Sequence, residues 1–218
     1  MNEQALREEI CRVGRSLFAR GYVHATAGNI SARLGDDYLI TPTDACLGFL
    51  EPARLARVDA AGAAVSGDRP SKTLALHRRI YEADPAAQCV IHTHSTHLVA
   101  LSLIGAWHTD DLIPPLTPYY VMKVGHVPLV PYHRPGDAAV GEWVAQAIAR
   151  FAAQGAPIRA VMLERLGPNV WHETPGAAMA VLEELEETAK LWLLTGRGAT
   201  PLHENTIDEL RRAFGARW

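Results

Sequence analysis

The sequence has few cysteines and no long apolar run. Its 218 residues include three cysteines, Cys11, Cys46 and Cys89, which form no CxxC pair. Neither a disulfide framework nor a thiolate zinc site is therefore indicated, and a reducing cytoplasm fits this usage. No apolar stretch approaches membrane-spanning length, and the acidic residues near the N-terminus do not fit a signal peptide. We expect a cytoplasmic protein that does not cross a membrane.

The sequence also lacks a surplus of basic residues. Its 21 Lys and Arg residues face 24 Asp and Glu residues, which gives a formal net charge of -3. This balance, without a basic run, is not that of a nucleic-acid-binding protein, so a small-molecule ligand fits better. Hydrophobic residues make up 48% and charged residues 21%, as in ordinary globular domains. The length predicts one domain over residues 1–218.

Helical and strand-like patterns alternate along the chain. Apolar residues recur at helical spacing in the first twenty residues and in the last quarter. Short runs within DYLITPT, CVIHTH, VPLVPY and RAVMLE indicate strands. Ser95 is placed to cap the helix after CVIHTH, and the acidic run EELEETAKL is typical of a solvated helix face. Because neither a repeat nor a long linker interrupts the alternation, the pattern predicts a single α/β domain.

The stretch VIHTHSTH, residues 90–97, holds three histidines in eight residues. Successive side chains of a strand point to opposite faces, so His92 and His94 would project on the same side. Two imidazoles so placed can chelate one divalent ion. The alternative is one core histidine and one surface histidine, because zinc usually has a third protein ligand. His97 falls on the following helix, where we expect a hydrogen-bonding or packing role.

Three other segments combine a turn with hydrogen-bond donors. They contain Gly28 and Asn29, then Thr43, then Ser71 with Lys72. In anion sites, backbone amides, a helix N-terminus and a cation converge on a phosphate. Each segment alone is ordinary turn chemistry. Together with the histidine strand they match a family.

In this order and spacing, the segments TAGNIS, LITPTDACLG, GDRPSK, HTHSTHLVALS, TPYYVMKVGHVPLVPYHRPGD and LEELEETAKL resemble the class II aldolase/adducin family. The likeness covers nearly the whole chain and is greatest to the family's 3-oxo-tetronate 4-phosphate decarboxylase branch. It implies an α/β/α sandwich around a central mixed sheet. It also implies a homotetramer with active sites between subunits and a divalent metal ion, with zinc expected and manganese or iron as alternatives.

The resemblance assigns roles to individual residues. By position, it implies phosphate binding by Asn29, Thr43, Ser71 and Lys72. It makes His92 and His94 two metal ligands. It makes Tyr119 the tyrosine that such proteins lend to a neighbouring subunit's site.

Two positions depart from the family's pattern. The family ordinarily has an acid/base glutamate after PSK, but the catalytic position here is Thr73, whose hydroxyl is neither a carboxylate base nor a good proton donor. The family's third histidine ligand stands in a segment like NHGP, but this chain reads ERLGP and has Leu166 there. Leucine cannot bind a metal. Glu164, on the same face if the strand continues, and His172, after the turn, are candidate replacement ligands.

These departures bear on the expected reaction. Loss of carbon dioxide from a 3-oxo acid needs only an electron sink and a late proton, which Tyr119 could deliver, whereas retro-aldol cleavage also needs a base. We therefore expect a metal-dependent carbon-carbon lyase, of decarboxylase or aldolase type, that acts on a small phosphorylated sugar acid or sugar. One alternative is a catalytically degenerate paralogue with a binding or structural role, which Thr73 and Leu166 suggest. Another is oxidative cleavage at an iron site that uses Glu164.

Overall fold

The structure, a computed structural model, describes residues 2–218. Helices and short strands alternate along it, as the sequence predicts. The helices are α1 (Glu3–Ala19), α2 (Leu74–Ala83), α3 (Thr96–Ile104), α4 (Pro118–Lys123), α5 (Ala139–Ala153), α6 (Pro175–Leu194) and α7 (Glu204–Phe214). The strands are β1 (Asn29–Leu34), β2 (Asp37–Ile40), β3 (Ala56–Val58), β4 (Ala64–Ser66), β5 (Cys89–His92), β6 (Leu129–Val130), β7 (Ala160–Leu163) and β8 (Gly167–His172).

These strands form one mixed sheet in the order β4-β3-β2-β1-β5-β8-β7-β6. Only β6 and β7 pair in parallel, and the other neighbours are antiparallel. In the central ladder, β5 lies between β1 and β8. The predicted fold class, an α/β/α sandwich around a central mixed sheet, is confirmed.

Helices cover both faces of the sheet. On one face, α1, α3 and α6 pack on side chains such as Ile30, Ile91 and Val170. On the other face, α2 and α5 pack on Val90 and Trp171. Because successive residues of a strand point to opposite faces, β5 and β8 bury nearly all their side chains. A polar side chain on these strands is therefore unusual and needs a partner.

The start of α3 differs from the prediction. The hydroxyl of Ser95 does not cap the helix and bonds instead to that of Thr93 at 2.7 Å. A carboxylate of α6, Glu186, accepts the amides of His97 and Leu98 in its place. The acidic run is therefore not wholly solvated. Of the helices in residues 2–218, none combines the length and the apolarity needed to cross a membrane.

Candidate active site

A cavity of about 860 Å³ opens on the face of the sheet that α2 and α5 cover. Its walls are the ends of the central strands, the first turns of α2 and α5, and the loop that follows β6. Eight of the ten predicted site residues line it: Asn29, Thr43, Ser71, Lys72, Thr73, His92, His94 and Glu164. The fold thus brings together segments that are far apart in the sequence.

The histidine pair lies at the floor of this cavity. The ring centroids of His92 and His94 are 5.1 Å apart, with the planes at 69°. The Nδ1–H of His92 donates to the carbonyl of Pro168 at 2.9 Å, which leaves Nε2 with a free lone pair. Strand β5 ends at His92, so His94 lies in the following loop and not on the strand as predicted. Both rings nevertheless face the same cavity.

Burial keeps the two imidazoles neutral. Burial, with a smaller contribution from the neighbouring His94, lowers the pKa of His92 to about 4. Burial also lowers the pKa of His94, with a smaller contribution from His24. Neutral imidazole is the form that binds metal ions, so the pair is ready for a cation near neutral pH.

Two glycines fix the backbone that carries the pair. Gly28 has a φ of +83°, and a Cβ there would lie 2.9 Å from the carbonyl oxygen of His92. Gly167 has a φ of +142°, and a Cβ there would lie 1.9 Å from the carbonyl oxygen of Thr93. Only glycine fits at these places, because other residues are disfavoured at these angles and their Cβ atoms would overlap the chain. The segment from His92 to Thr93 is held between them.

The predicted replacement ligands do not complete the pair. Leu166 lines the cavity at the place of the missing imidazole. The carboxylate of Glu164 also lies at the cavity, but it accepts the amide of Tyr132 at 2.9 Å and approaches Arg165 at 3.7 Å. Within residues 2–218, no group of three or more His, Cys, Asp and Glu side chains is placed to hold a metal ion. In this conformation Glu164 is therefore not a third ligand.

His172 lies outside the cavity. In the ladder between β5 and β8 it pairs with Cys89, whereas His92 pairs with Asn169. His172 thus lies three residues, or about 10 Å, further along β8 than Asn169, the residue opposite His92. Its Nδ1 accepts the amide of Glu173 at 2.8 Å. The prediction that His172 joins the histidine pair on one ion does not fit this register.

Tyr119 also lies outside its own chain's cavity. It is on α4 and its side chain is 62% exposed. An exposed tyrosine away from the cavity can serve a site only in another subunit, as the resemblance implies. That role stays a prediction.

The other end of the cavity presents hydrogen-bond donors. Helix α2 begins after Thr73 without a side-chain cap and with no acidic residue in its first turn. Its N-terminus is therefore electropositive and has free amides. Lys72 is exposed beside it and has no ion-pair partner among the described residues. The hydroxyls of Ser71 and Thr73 are 2.8 Å apart. This end has the composition of an anion site.

Thr43 fits the anion site less well than predicted. Its hydroxyl donates to the carbonyl of Pro70 at 2.9 Å, and its amide donates to the carbonyl of Arg69 at 2.9 Å. Both of its donors are thus used within the turn. Arg69 lines the cavity as well and was not among the predicted residues.

The sequence analysis also missed Asn169, which lines the cavity beside the histidine pair. It is completely buried, yet neither its Oδ1 nor its Nδ2 has a hydrogen-bond partner within residues 2–218. An asparagine inside the apolar strand pattern GPNVWH was the only available signal, since asparagine is depleted in strands.

Comparison with known proteins agrees with this geometry. Residues 8–193 match the family described as Class II Aldolase and Adducin N-terminal domain, and the chain belongs to that family. The chain is 58% identical to a 3-oxo-tetronate 4-phosphate decarboxylase of Cupriavidus necator over 223 residues, which cover 99% of both chains. It is 28% identical to an L-fuculose phosphate aldolase of Haemophilus influenzae, over 88% of this chain and 84% of the relative.

A solved structure has the same fold along its whole length. The crystal structure of YgbL from Escherichia coli superimposes with a TM-score of 0.86 at 45% identity and covers 96% of this chain and 99% of that one. The predicted family and the predicted branch within it are both confirmed by these likenesses.

Proposed function

We propose that the protein is a carbon-carbon lyase of the decarboxylase type that acts on a small phosphorylated sugar acid with a divalent metal ion. One observation carries the proposal: a neutral histidine pair and an uncapped helix N-terminus with Lys72 line the same cavity. The first suits a cation and the second a phosphate. The similarity to the Cupriavidus necator decarboxylase over nearly its full length supports the same reaction.

The residues at the floor fit a divalent ion such as zinc, manganese or iron. His92 and His94 would hold it through ring nitrogens, since both rings are neutral and the Nδ1–H of His92 is fixed on Pro168. When bound, the ion supplies Lewis acidity that stabilises the charge developing on a ketone oxygen during loss of carbon dioxide.

The anion end would orient the substrate. Lys72 and the amides in the first turn of α2 that follow Leu74 would hold the phosphate, with Ser71 and Asn29 in the same cavity. This attachment directs the opposite end of a short acid towards the histidine pair. Binding at two points makes the reaction at the floor effectively intramolecular.

Apolar side chains in the cavity wall favour loss of a carboxylate. Val130, Leu163 and Leu166 line the cavity that also holds the histidine pair. Such a wall weakens the solvation of a bound carboxylate, and departure of neutral carbon dioxide moves its negative charge to the ketone oxygen. Thr73 is adequate for this reaction because decarboxylation needs no carboxylate base. The final proton would come from Tyr119 of another subunit, within a cytoplasmic homotetramer.

A catalytically silent paralogue is the second candidate. Leu166 at the third ligand position and Thr73 at the acid/base position favour it. Such a protein would bind a phosphorylated acid at Lys72 without converting it. The oxidative alternative depends on Glu164 as an iron ligand and is disfavoured, because the amide of Tyr132 already bonds to that carboxylate.

The test is an assay of carbon dioxide release from 3-oxo-tetronate 4-phosphate by the metal-free protein, reconstituted separately with zinc, manganese or iron(II). We expect turnover with at least one ion, its loss in His92→Ala, and its retention in His203→Ala, which changes an exposed histidine outside the cavity. Binding of the acid without release under any of these ions would favour the silent paralogue. Cleavage of L-fuculose 1-phosphate instead would identify an aldolase.

A further inference from the structure

The carboxamide of Asn169 is an unpaired polar group in a strand that is otherwise apolar up to its last residue, His172. Its side chain is 0% exposed, and neither of its polar atoms has a hydrogen-bond partner within residues 2–218. A buried polar group left without a partner destabilises a folded protein. Its neighbours along β8 on the same face are apolar, such as Trp171. The fold alone gives no reason for an amide at this position.

The position of Asn169 relates it to the histidine pair. Asn29, His92 and Asn169 are consecutive cross-strand partners on β1, β5 and β8. Directly opposed residues share a face of the sheet, and their Cβ atoms lie about 5 Å apart. All three line the cavity. The bond from His92 to the carbonyl of Pro168, the residue before Asn169, holds the imidazole towards β8.

Two other polar residues that line the cavity, Glu164 and Asn29, are less suitable as a third ligand. Glu164 is bonded to the amide of Tyr132. Asn29 also has an unpaired Oδ1, but it stands on β1, on the opposite side of His92 from β8. Asn169 is on the side of Leu166, where the imidazole is missing. Catalytic sites for zinc usually have three protein ligands, and a neutral amide oxygen can serve as one for harder divalent ions.

We propose that the Oδ1 of Asn169 is the third protein ligand of the divalent ion that His92 and His94 would hold. This inference rests on the proposed function, since it requires the ion at the histidine pair. A site with two nitrogens and one amide oxygen binds zinc less strongly, relative to manganese or iron(II), than a site with three imidazoles. The Oδ1 is then satisfied only when the ion is bound, which explains its lack of a partner in the protein alone.

The experiment measures metal affinity and stability separately. Metal-free protein is titrated calorimetrically with manganese chloride and with zinc chloride, and its melting temperature is recorded without metal. In Asn169→Val we expect affinity to fall about tenfold or more, because a ligand is lost. We also expect the metal-free melting temperature to rise by about 3 °C, because a buried unpaired amide is removed. A purely structural asparagine would give a lower melting temperature, which would overturn the inference.

Asn169→Asp is the complementary variant, since it keeps the size and supplies a carboxylate oxygen. We expect it to bind manganese more tightly than the natural protein does, whereas Asn205→Asp, which adds the same charge at an exposed position on α7, should change nothing. His92→Ala should abolish binding. If His92→Ala loses the ion while both Asn169 variants bind it as the natural protein does, the inference fails and the histidine-pair proposal stands. If the natural protein binds neither ion, both fail.

Discussion

The buried carboxylate of Glu186 accepts hydrogen bonds from the backbone amide of His97 at 3.0 Å and from its ring Nδ1–H at 2.8 Å. It also accepts the amide of Leu98 at 3.1 Å, so a side chain of α6 caps the N-terminus of α3. Burial raises the pKa of Glu186, and the bonds from His97 oppose that shift. This contact fixes the helix that follows the histidine pair.

Glu186→Gln should therefore destabilise the protein. Glutamine keeps the size but loses the charge that three donors share, so we expect the free energy of unfolding to fall by about 1–3 kcal/mol. Urea denaturation of the metal-free protein measures this change. Glu187→Gln, one residue further on an exposed position of the same helix, should change it by less than about 0.5 kcal/mol. Equal effects of the two substitutions would contradict the capping role.

Acid should destabilise the protein through His77. This residue is completely buried, and its Nδ1 lies 2.7 Å from the hydroxyl of Ser31. Burial, and then His92, lower its pKa to about 3. The unfolded chain takes up the proton near pH 6.5, so the contribution of neutral His77 is fully present above pH 6.5 and is lost as the pH falls towards 3.

The expected loss is about 1.4 kcal/mol per pH unit for this one histidine. His77→Asn, which can still bond to Ser31, should reduce the pH dependence of the unfolding free energy between pH 6 and pH 4 by about that slope. His203→Asn, at an exposed position, serves as the control. An unchanged slope in His77→Asn would show that His77 is protonated in the folded protein.

Gly167→Ala should disrupt the histidine segment. Its Cβ would overlap the carbonyl of Thr93, so we expect a loss of about 3 kcal/mol or more in unfolding free energy, together with weaker metal binding. Gly155→Ala is the matched control, because it has a φ of +76° but open space around its Cβ. It should lose only about 1–2 kcal/mol, from the backbone conformation. Comparable losses in both variants would show that the chain can move away from Gly167.

Leu166→His should strengthen zinc binding. The new imidazole would enter the cavity beside His92 and His94, and we expect zinc affinity to rise about tenfold or more by calorimetry. Leu194→His, at a position that is 74% exposed, should leave the affinity unchanged. Adding Thr73→Glu to Leu166→His supplies an acid/base and should create aldol cleavage. If the double variant shows lyase activity that the natural chain lacks altogether, the natural protein is silent.

Lys72→Met should weaken the binding of the phosphorylated substrate more than it slows the chemical step. It removes a cation from the anion end of the cavity, so we expect KM to rise about tenfold while kcat changes little. Lys190→Met on α6, outside the cavity, is the control. A large fall in kcat at unchanged KM would instead place Lys72 at the reacting end.

The sequence predicts the elements of this fold but only part of its site. Strand runs and helical spacing are local patterns, and the family's segments locate His92, His94 and Lys72. The role of Asn169 depends on the register between β5 and β8, which joins residues 77 positions apart and leaves no local pattern. The same register places His172, which does follow the predicted turn, opposite Cys89, too far along β8 to reach the histidine pair.

Glu186 illustrates a second limit. The run EELEETAKL contains four glutamates and reads as solvent-exposed, and Glu187 is indeed exposed. One residue earlier, the helical rotation directs Glu186 at the start of α3, where amides need an acceptor. Composition describes the average of such a run, whereas the packing of α6 on α3 decides which member is buried.

Gly28 and Gly167 lie close to the carbonyl oxygens of His92 and Thr93, so the backbone of the histidine segment is packed from both sides by main-chain atoms. The backbone positions of the two histidines therefore depend on these glycines and not on the side chains that line the cavity. A third metal-binding side chain in the cavity can then be lost, or moved to an adjacent strand, without displacing the histidine pair. In the proposed site, the preferred ion can therefore be changed by substitution around the pair while the path of the main chain is kept.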